Sequence, residues 1–187
     1  FNKAPAAVYV LIGYHTAYLK RHFRVAFLAA SMSLDLHNTD KLAAFFQEAR
    51  RLKIPVVAPN INASTADFDV NEGSIVYALG ALKGVGPEAM KHLVAERTES
   101  GAYKCLHDFA ERVDPKDINK KCFEQLSKAG AFDGLEPNRG RALRASPMLA
   151  SACAASAEDR AGGQGALFVD ADPAIRTAHP KSPPWTL

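Results

Sequence analysis

Little in this chain points to redox or metal chemistry. There are three cysteines in 187 residues, Cys105, Cys122 and Cys153. No two of them share a Cys-x-x-Cys spacing, which excludes a sequence-legible zinc ribbon or redox pair, and so few thiols do not build a disulfide frame. The six histidines (His15, His22, His37, His92, His107, His179) show no ligand spacing with Cys, Asp or Glu. No apolar run is long enough to span a membrane, and no signal peptide is visible. Charge is nearly balanced, at +3 with 23% charged residues, so any use of positive charge depends on clustering. No nucleophile stands beside a partner base, and the residues compose no complete active site. There is also no Met before Met32, and the opening Phe1-Asn2-Lys3 reads as the middle of a longer polypeptide.

What is present is punctuation. Leu82-Lys83-Gly84-Val85-Gly86-Pro87 sets two glycines around one apolar residue and then a proline. The glycines make a tight turn whose backbone can approach another molecule, and Pro87 suits the first turn of a helix. Unpaired N–H groups at that helix start form an anion site, and Lys83 adds positive charge beside them. The functional reading is a phosphate grip; the bland one is a plain turn between packed helices.

Around this turn the chain reads as mostly helical. Residues 6–22 form an apolar helix with few polar positions, which predicts burial among other helices. A second helix covers 25–36, and a third, capped by Asn38 or Thr39, covers 40–53. Residues 54–59 read as a short strand, and 68–77 as a β-hairpin turning at Asn71-Glu72-Gly73. Asp67 and Asp69 share a face of that hairpin, but a solvated edge explains them better than a metal.

After the Gly84-Val85-Gly86 turn come a helix to about Gly101, a short helix at 106–113, and a helix at 120–128 capped by Asn119 and closed by Gly130. Ala129-Gly130-Ala131-Phe132-Asp133 reads as a second, poorer hairpin, and Pro137-Asn138 opens a further helix that Ser146-Pro147 kinks or breaks. The order is helix, hairpin, helix, connector, helix, hairpin, helix, a weak internal duplication. Lys116, Lys120, Lys121 and Lys128 supply positive charge near the second copy. Beyond Gly162-Gly163 the chain reads as a linker. Within it, Gln164-Gly165-Ala166-Leu167-Phe168 offers two bulky apolar residues, either a peptide anchor for a partner's pocket or a tail folded on its own core.

These segments together resemble a known family. Phe1-Asn2-Lys3, Tyr18-Leu19-Lys20, Ala29-Ala30-Ser31-Met32, Asn38-Thr39-Asp40-Lys41, Ala81 to Gly86, Asn119-Lys120 and Lys128 to Asp133 are similar, collinearly, to the bacterial DNA polymerase III alpha subunit. The resemblance implies a mostly α fold with a small β-hairpin. It divides the chain into the C-terminal part of the polymerase fingers at 1–58, a β-hairpin connector at 59–80, a tandem helix-hairpin-helix domain at 81–161, and a linker with a sliding-clamp motif at 162–187. It implies duplex-DNA contacts at Lys83, Gly84, Val85, Gly86, Lys120, Lys121, Lys128 and Gly130, and clamp contacts at Gln164, Leu167 and Phe168. It also implies a cytoplasmic DNA-directed DNA polymerase, a nucleotidyltransferase of DNA replication. Its magnesium sits on palm aspartates that lie upstream of this segment. This segment would bind no cofactor and would not act alone. Its partners would be duplex DNA, the clamp beta subunit and the rest of the polymerase core and holoenzyme.

Where the family commonly has Asn-Lys-Ser-His, this chain has Asn2-Lys3-Ala4-Pro5, leaving Lys3 as the polar residue nearest a nucleotide. Two other readings stand: a free-standing helix-hairpin-helix DNA-binding module, which would not need the apolar residues 1–36, and the family's error-prone relative, against which the clamp motif argues.

Overall fold

The computed structural model describes residues 3–161, and the side chains of 6–160. Caps and breakers written in the sequence organise seven helices and a three-stranded sheet among the described residues. Contacts divide the chain into two compact units, Phe1–Val57 with Phe68–Val76, and Ala58–Asp67 with Tyr77–Leu187.

The first unit holds α1 (Lys3–His22), α2 (Arg24–Leu34), α3 (Thr39–Arg51) and the sheet. Asn38 starts α3, its Oδ1 accepting the Lys41 N–H at 3.1 Å. Arg50 and Arg51 fall in the last turn, where cations favour the helix dipole. Leu28, Ala29 and Met32 of α2, Leu42 and Ala49 of α3, and Ile75 of the sheet are buried.

The sheet is smaller than the sequence suggests. The predicted strand at 54–59 shrinks to β1, Val56–Val57, which pairs in parallel with β3, Ser74–Val76. β2, Asp69–Asn71, pairs antiparallel with β3 across Glu72 and Gly73, both at positive φ, the conformation of a tight two-residue turn. Strand order is β1-β3-β2, and the Ser33 hydroxyl of α2 accepts the Phe68 N–H at 3.1 Å.

One expectation fails in this unit. Helix α1 is not buried: Val8, Tyr9, Val10, Leu11, Ile12 and Tyr14 are all exposed, Tyr9 and Val10 by more than 70%. Helix α1 meets α2 and, through Lys20 and Glu48, α3 toward its C-terminal end, while the apolar side chains of 8–14 stay uncovered.

The second unit is built on an aromatic centre. Phe109 meets Tyr103, Phe123 and Phe132 edge-on at 4.9, 5.6 and 5.1 Å between centroids. Around it pack α4 (Pro87–Ser100), α5 (Leu106–Arg112), α6 (Lys120–Ala129) and α7 (Arg139–Ala161). The helix expected before the first hairpin is only one 3-10 turn, Leu79–Ala81. Helix α7 runs through Pro147 unbroken. Ala142, Ala145, Leu149 and Cys153 form its buried stripe, and packing of that stripe outweighs the lost hydrogen bond. Among the described residues no helix is long and apolar enough to cross a membrane.

Candidate nucleic-acid interface

The first hairpin is drawn tight by the Val85 N–H, which donates to the Leu82 carbonyl at 3.1 Å. Val85 turns its side chain into the core, while Lys83, Gly84 and Gly86 stay exposed. Gly84 sits at φ +83°, a left-handed conformation costly for any other residue. Gly86 caps α4 without a side-chain bond, and Pro87 takes the first helical position. Among the described residues the N–H groups of Gly84, Gly86, Glu88 and Ala89 have no backbone acceptor; Gly84, Gly86 and Glu88 are exposed, while Ala89 is buried. Glu88, the acid nearest this cluster, is turned to Lys91 at 2.7 Å, whose hydrogen bond and charge hold its carboxyl below the usual range.

Helix α6 lies alongside. A Cβ on Gly84 would stand 3.5 Å from Lys121 Cε and 3.6 Å from Gln125 Cγ. The fold therefore brings Lys121 to the hairpin, from 37 positions along the chain. Asn119 starts this helix, its Oδ1 accepting the Cys122 N–H at 3.0 Å, and Lys120, Lys121 and Lys128 are all exposed. Lys120 faces Glu124 at 4.0 Å.

The second copy differs in kind. Gly130, at φ +81°, is the C-terminal cap of α6, and its N–H donates back to Ser127 O at 3.1 Å. The N–H groups of Ala131, Asp133, Leu135 and Glu136 all donate to carbonyls of the same turn or helix. The Arg139 guanidinium fills the space that a Cβ on Gly130 would take, and Asp133 holds it at 2.6 Å. The Asp133–Arg139 pair and Gln125 went unnoticed in the sequence. Their only signals were an i, i+6 charge pair and the i, i+4, i+7 spacing of Lys121, Gln125 and Lys128.

Away from the hairpins, Arg112 gathers charge. It grips Glu96 in two bonds of 2.8 and 3.0 Å, reaches Asp108 at 3.3 Å and lies over the Tyr103 ring at 4.4 Å. Burial pushes the Glu96 carboxyl up, but the hydrogen bonds from Arg112, Tyr103 and Ser100 and the Arg112 charge together outweigh it, and the group ends below its ordinary value. His92 Nδ1 stands 2.8 Å from Asp117. Arg112, Glu96, His92 and Asp117 border a cavity of about 260 Å³ together with Asp114 and Arg160, and within it Arg112 pairs with Glu96 and His92 with Asp117.

Asp67 and Asp69 are both exposed, and among the described residues no three His, Cys, Asp or Glu side chains are arranged to hold a metal ion. Lys3 begins α1, but its side chain is not among those described, and Gln164, Leu167 and Phe168 lie outside the described residues.

The helix-hairpin-helix motif family matches residues 53–142. Over 99% of its length the chain is 50% identical to the DNA polymerase III subunit alpha of Caulobacter vibrioides, of which it covers 16%. Over its whole length it is 40% identical to the same subunit of Xylella fastidiosa and of Haemophilus influenzae, again covering 16% of each. The chain thus spans about a sixth of the length of these curated relatives.

Proposed function

This chain is a relative of one segment of the bacterial DNA polymerase III alpha subunit, and from that premise we propose that it grips duplex DNA without sequence preference as part of a cytoplasmic replicative polymerase. The observation that carries the reading is the set of N–H donors without a backbone acceptor at the exposed residues Gly84, Gly86 and Glu88, with the Lys121 side chain beside Gly84. Backbone donors and lysines engage phosphate oxygens, which are the same in every sequence, so the grip positions the protein and does not read bases. Lys83, Lys120 and Lys128 add charge around this point.

Nucleotidyl transfer is the activity that the relatives' name carries. In this proposal its magnesium and its reacting groups belong to other parts of the longer protein. Among the described residues no three carboxylates or imidazoles are arranged to hold a metal ion, so they do not fit a magnesium centre, and no step of the transfer is assigned to them. We assign Lys3, at the start of α1, to the neighbourhood of the nucleotide, and Gln164, Leu167 and Phe168 to a peptide that docks on the sliding clamp. Tethering of that kind raises the local concentration of enzyme at its template and so extends each binding event.

Two titrations test these assignments. Anisotropy of labelled 20-base-pair duplexes of unrelated sequence should give equal, strongly salt-dependent affinities, and Gly86→Val should abolish binding. Sequence-selective binding, or no effect of that substitution, would refute the DNA reading. A peptide carrying residues 160–172 should bind purified beta clamp, with Phe168→Ala removing most of the affinity; equal binding of both peptides would refute the clamp reading.

A further inference from the structure

Two glycine turns invite the expectation of two equivalent grips, yet the structure gives them opposite surfaces. At the first, donors are left over and cations stand nearby. At the second, the N–H groups of Gly130, Ala131, Asp133, Leu135 and Glu136 are spent internally, and the cation above the glycine is neutralised by Asp133.

Helix α6 offers what the second turn does not. Lys121, Gln125 and Lys128 stand at i, i+4 and i+7, on one face of the helix. The opposite face, Phe123, Leu126 and Ser127, is buried in the core. Lys121 and Gln125 both flank Gly84, so this face continues the surface of the first hairpin. Seven residues rise about 10 Å along a helix. Phosphates of one strand advance about 3.4 Å each along the duplex axis, so the stripe matches a run of about three.

We infer that the DNA strand held at Gly84 and Gly86 continues along α6 over Lys121, Gln125 and Lys128, and that the Gly130 turn serves only to cap and brace that helix. This rests on the reading of the first hairpin as a phosphate grip. It adds Gln125 as an uncharged phosphate partner and makes the grip one-sided. Lys120 lies off the stripe, beside Glu124.

The salt dependence of duplex binding by the full chain, read by anisotropy between 50 and 200 mM NaCl, tests the path. Each lysine on a phosphate contributes about 0.9 to the slope of log affinity against log salt. Lys121→Gln and Lys128→Gln should each flatten the slope by about 1, cutting the affinity lost over that range by about 4-fold. Gln125→Ala should weaken binding with the slope unchanged, and Arg139→Gln should alter neither. Thermal melts of Lys121→Gln and Lys128→Gln should match the unsubstituted chain, since Lys121 and Lys128 are exposed. Unchanged slopes for both lysine variants, or a slope flattened as much by Arg139→Gln, would overturn the α6 path while leaving the hairpin reading intact. Absence of duplex binding by the unsubstituted chain would instead overturn the hairpin reading, and the path with it.

Discussion

Lys121 Cε lies 3.5 Å from the point where a Cβ on Gly84 would stand, so the turn and α6 are a single surface. That distance is ordinary van der Waals contact. A methyl at Gly84 would fit the space, and its cost would come from the backbone, held at φ +83°. Gly84→Ala should therefore destabilise the chain by about 1–2 kcal/mol in urea unfolding. Gly86 differs, with φ −78° and its nearest neighbour at 3.7 Å. Gly86→Ala should leave stability nearly unchanged while weakening duplex binding, because the new methyl faces the ligand. Equal stability losses at the two positions would contradict this account.

Phe109 is fully buried and meets three other rings. Truncating it removes the centre of the core and leaves a cavity. Phe109→Ala should cost about 3–5 kcal/mol in denaturant titration. A loss under 1 kcal/mol would show that the site collapses to fill the void.

Acid should loosen the second unit through Glu96. Its folded-state carboxyl lies below its ordinary value, burial being overcome by the Arg112 charge and the hydrogen bonds from Arg112, Tyr103 and Ser100 together. A depressed carboxyl contributes stability above its unfolded pKa, about 4.3, and that contribution is lost as pH falls through the folded value. Thermal melts between pH 7 and pH 3 should show the unsubstituted chain falling more steeply below about pH 4 than Glu96→Gln. The variant should begin lower at pH 7, since Arg112 loses its charged partner. Parallel curves would exclude this contribution.

The three thiols should react unequally. Burial, with Asp117 adding to it, pushes the Cys122 thiol up to about 12. Burial also raises Cys153, whose Sγ donates to the Val113 carbonyl at 3.4 Å. Cys105 is exposed. Titration with a disulfide-exchange reagent at pH 8 should modify Cys105 quickly and the other two only on unfolding. Rapid modification of all three would mean that the core opens easily.

Helix α1 carries its apolar side chains on the surface of this chain. Substituting Val10→Lys, at 72% exposure, should reduce self-association in light scattering with no loss of melting temperature. A large fall in melting temperature would mean that Val10 packs after all.

Much of the helical plan was legible because its signals are local. Asn38, Asn119, Pro87 and Gly130 each act within one turn of chain, and each stands at the helix end it was read to mark. The turn at Glu72 and Gly73 was readable for the same reason. What failed was context. The proline in α7 is a local signal to break, overruled by a buried stripe that contacts distant helices. The apolar residues of α1 announce a helix that wants burial, but whether a partner element exists within the unit is not written in the helix itself.

By itself the sequence determined the helices, the two glycine turns and the placement of basic residues, because propensity, capping and positive φ are properties of neighbouring residues. Only the tertiary structure decided that the turns are unequal. Gly84 and Gly130 look alike in the chain, but packing sets Lys121 and Gln125 beside the first and folds Arg139 onto the second. Which donors remain for a ligand depends on what the fold has already spent, and that is fixed by residues far apart in sequence.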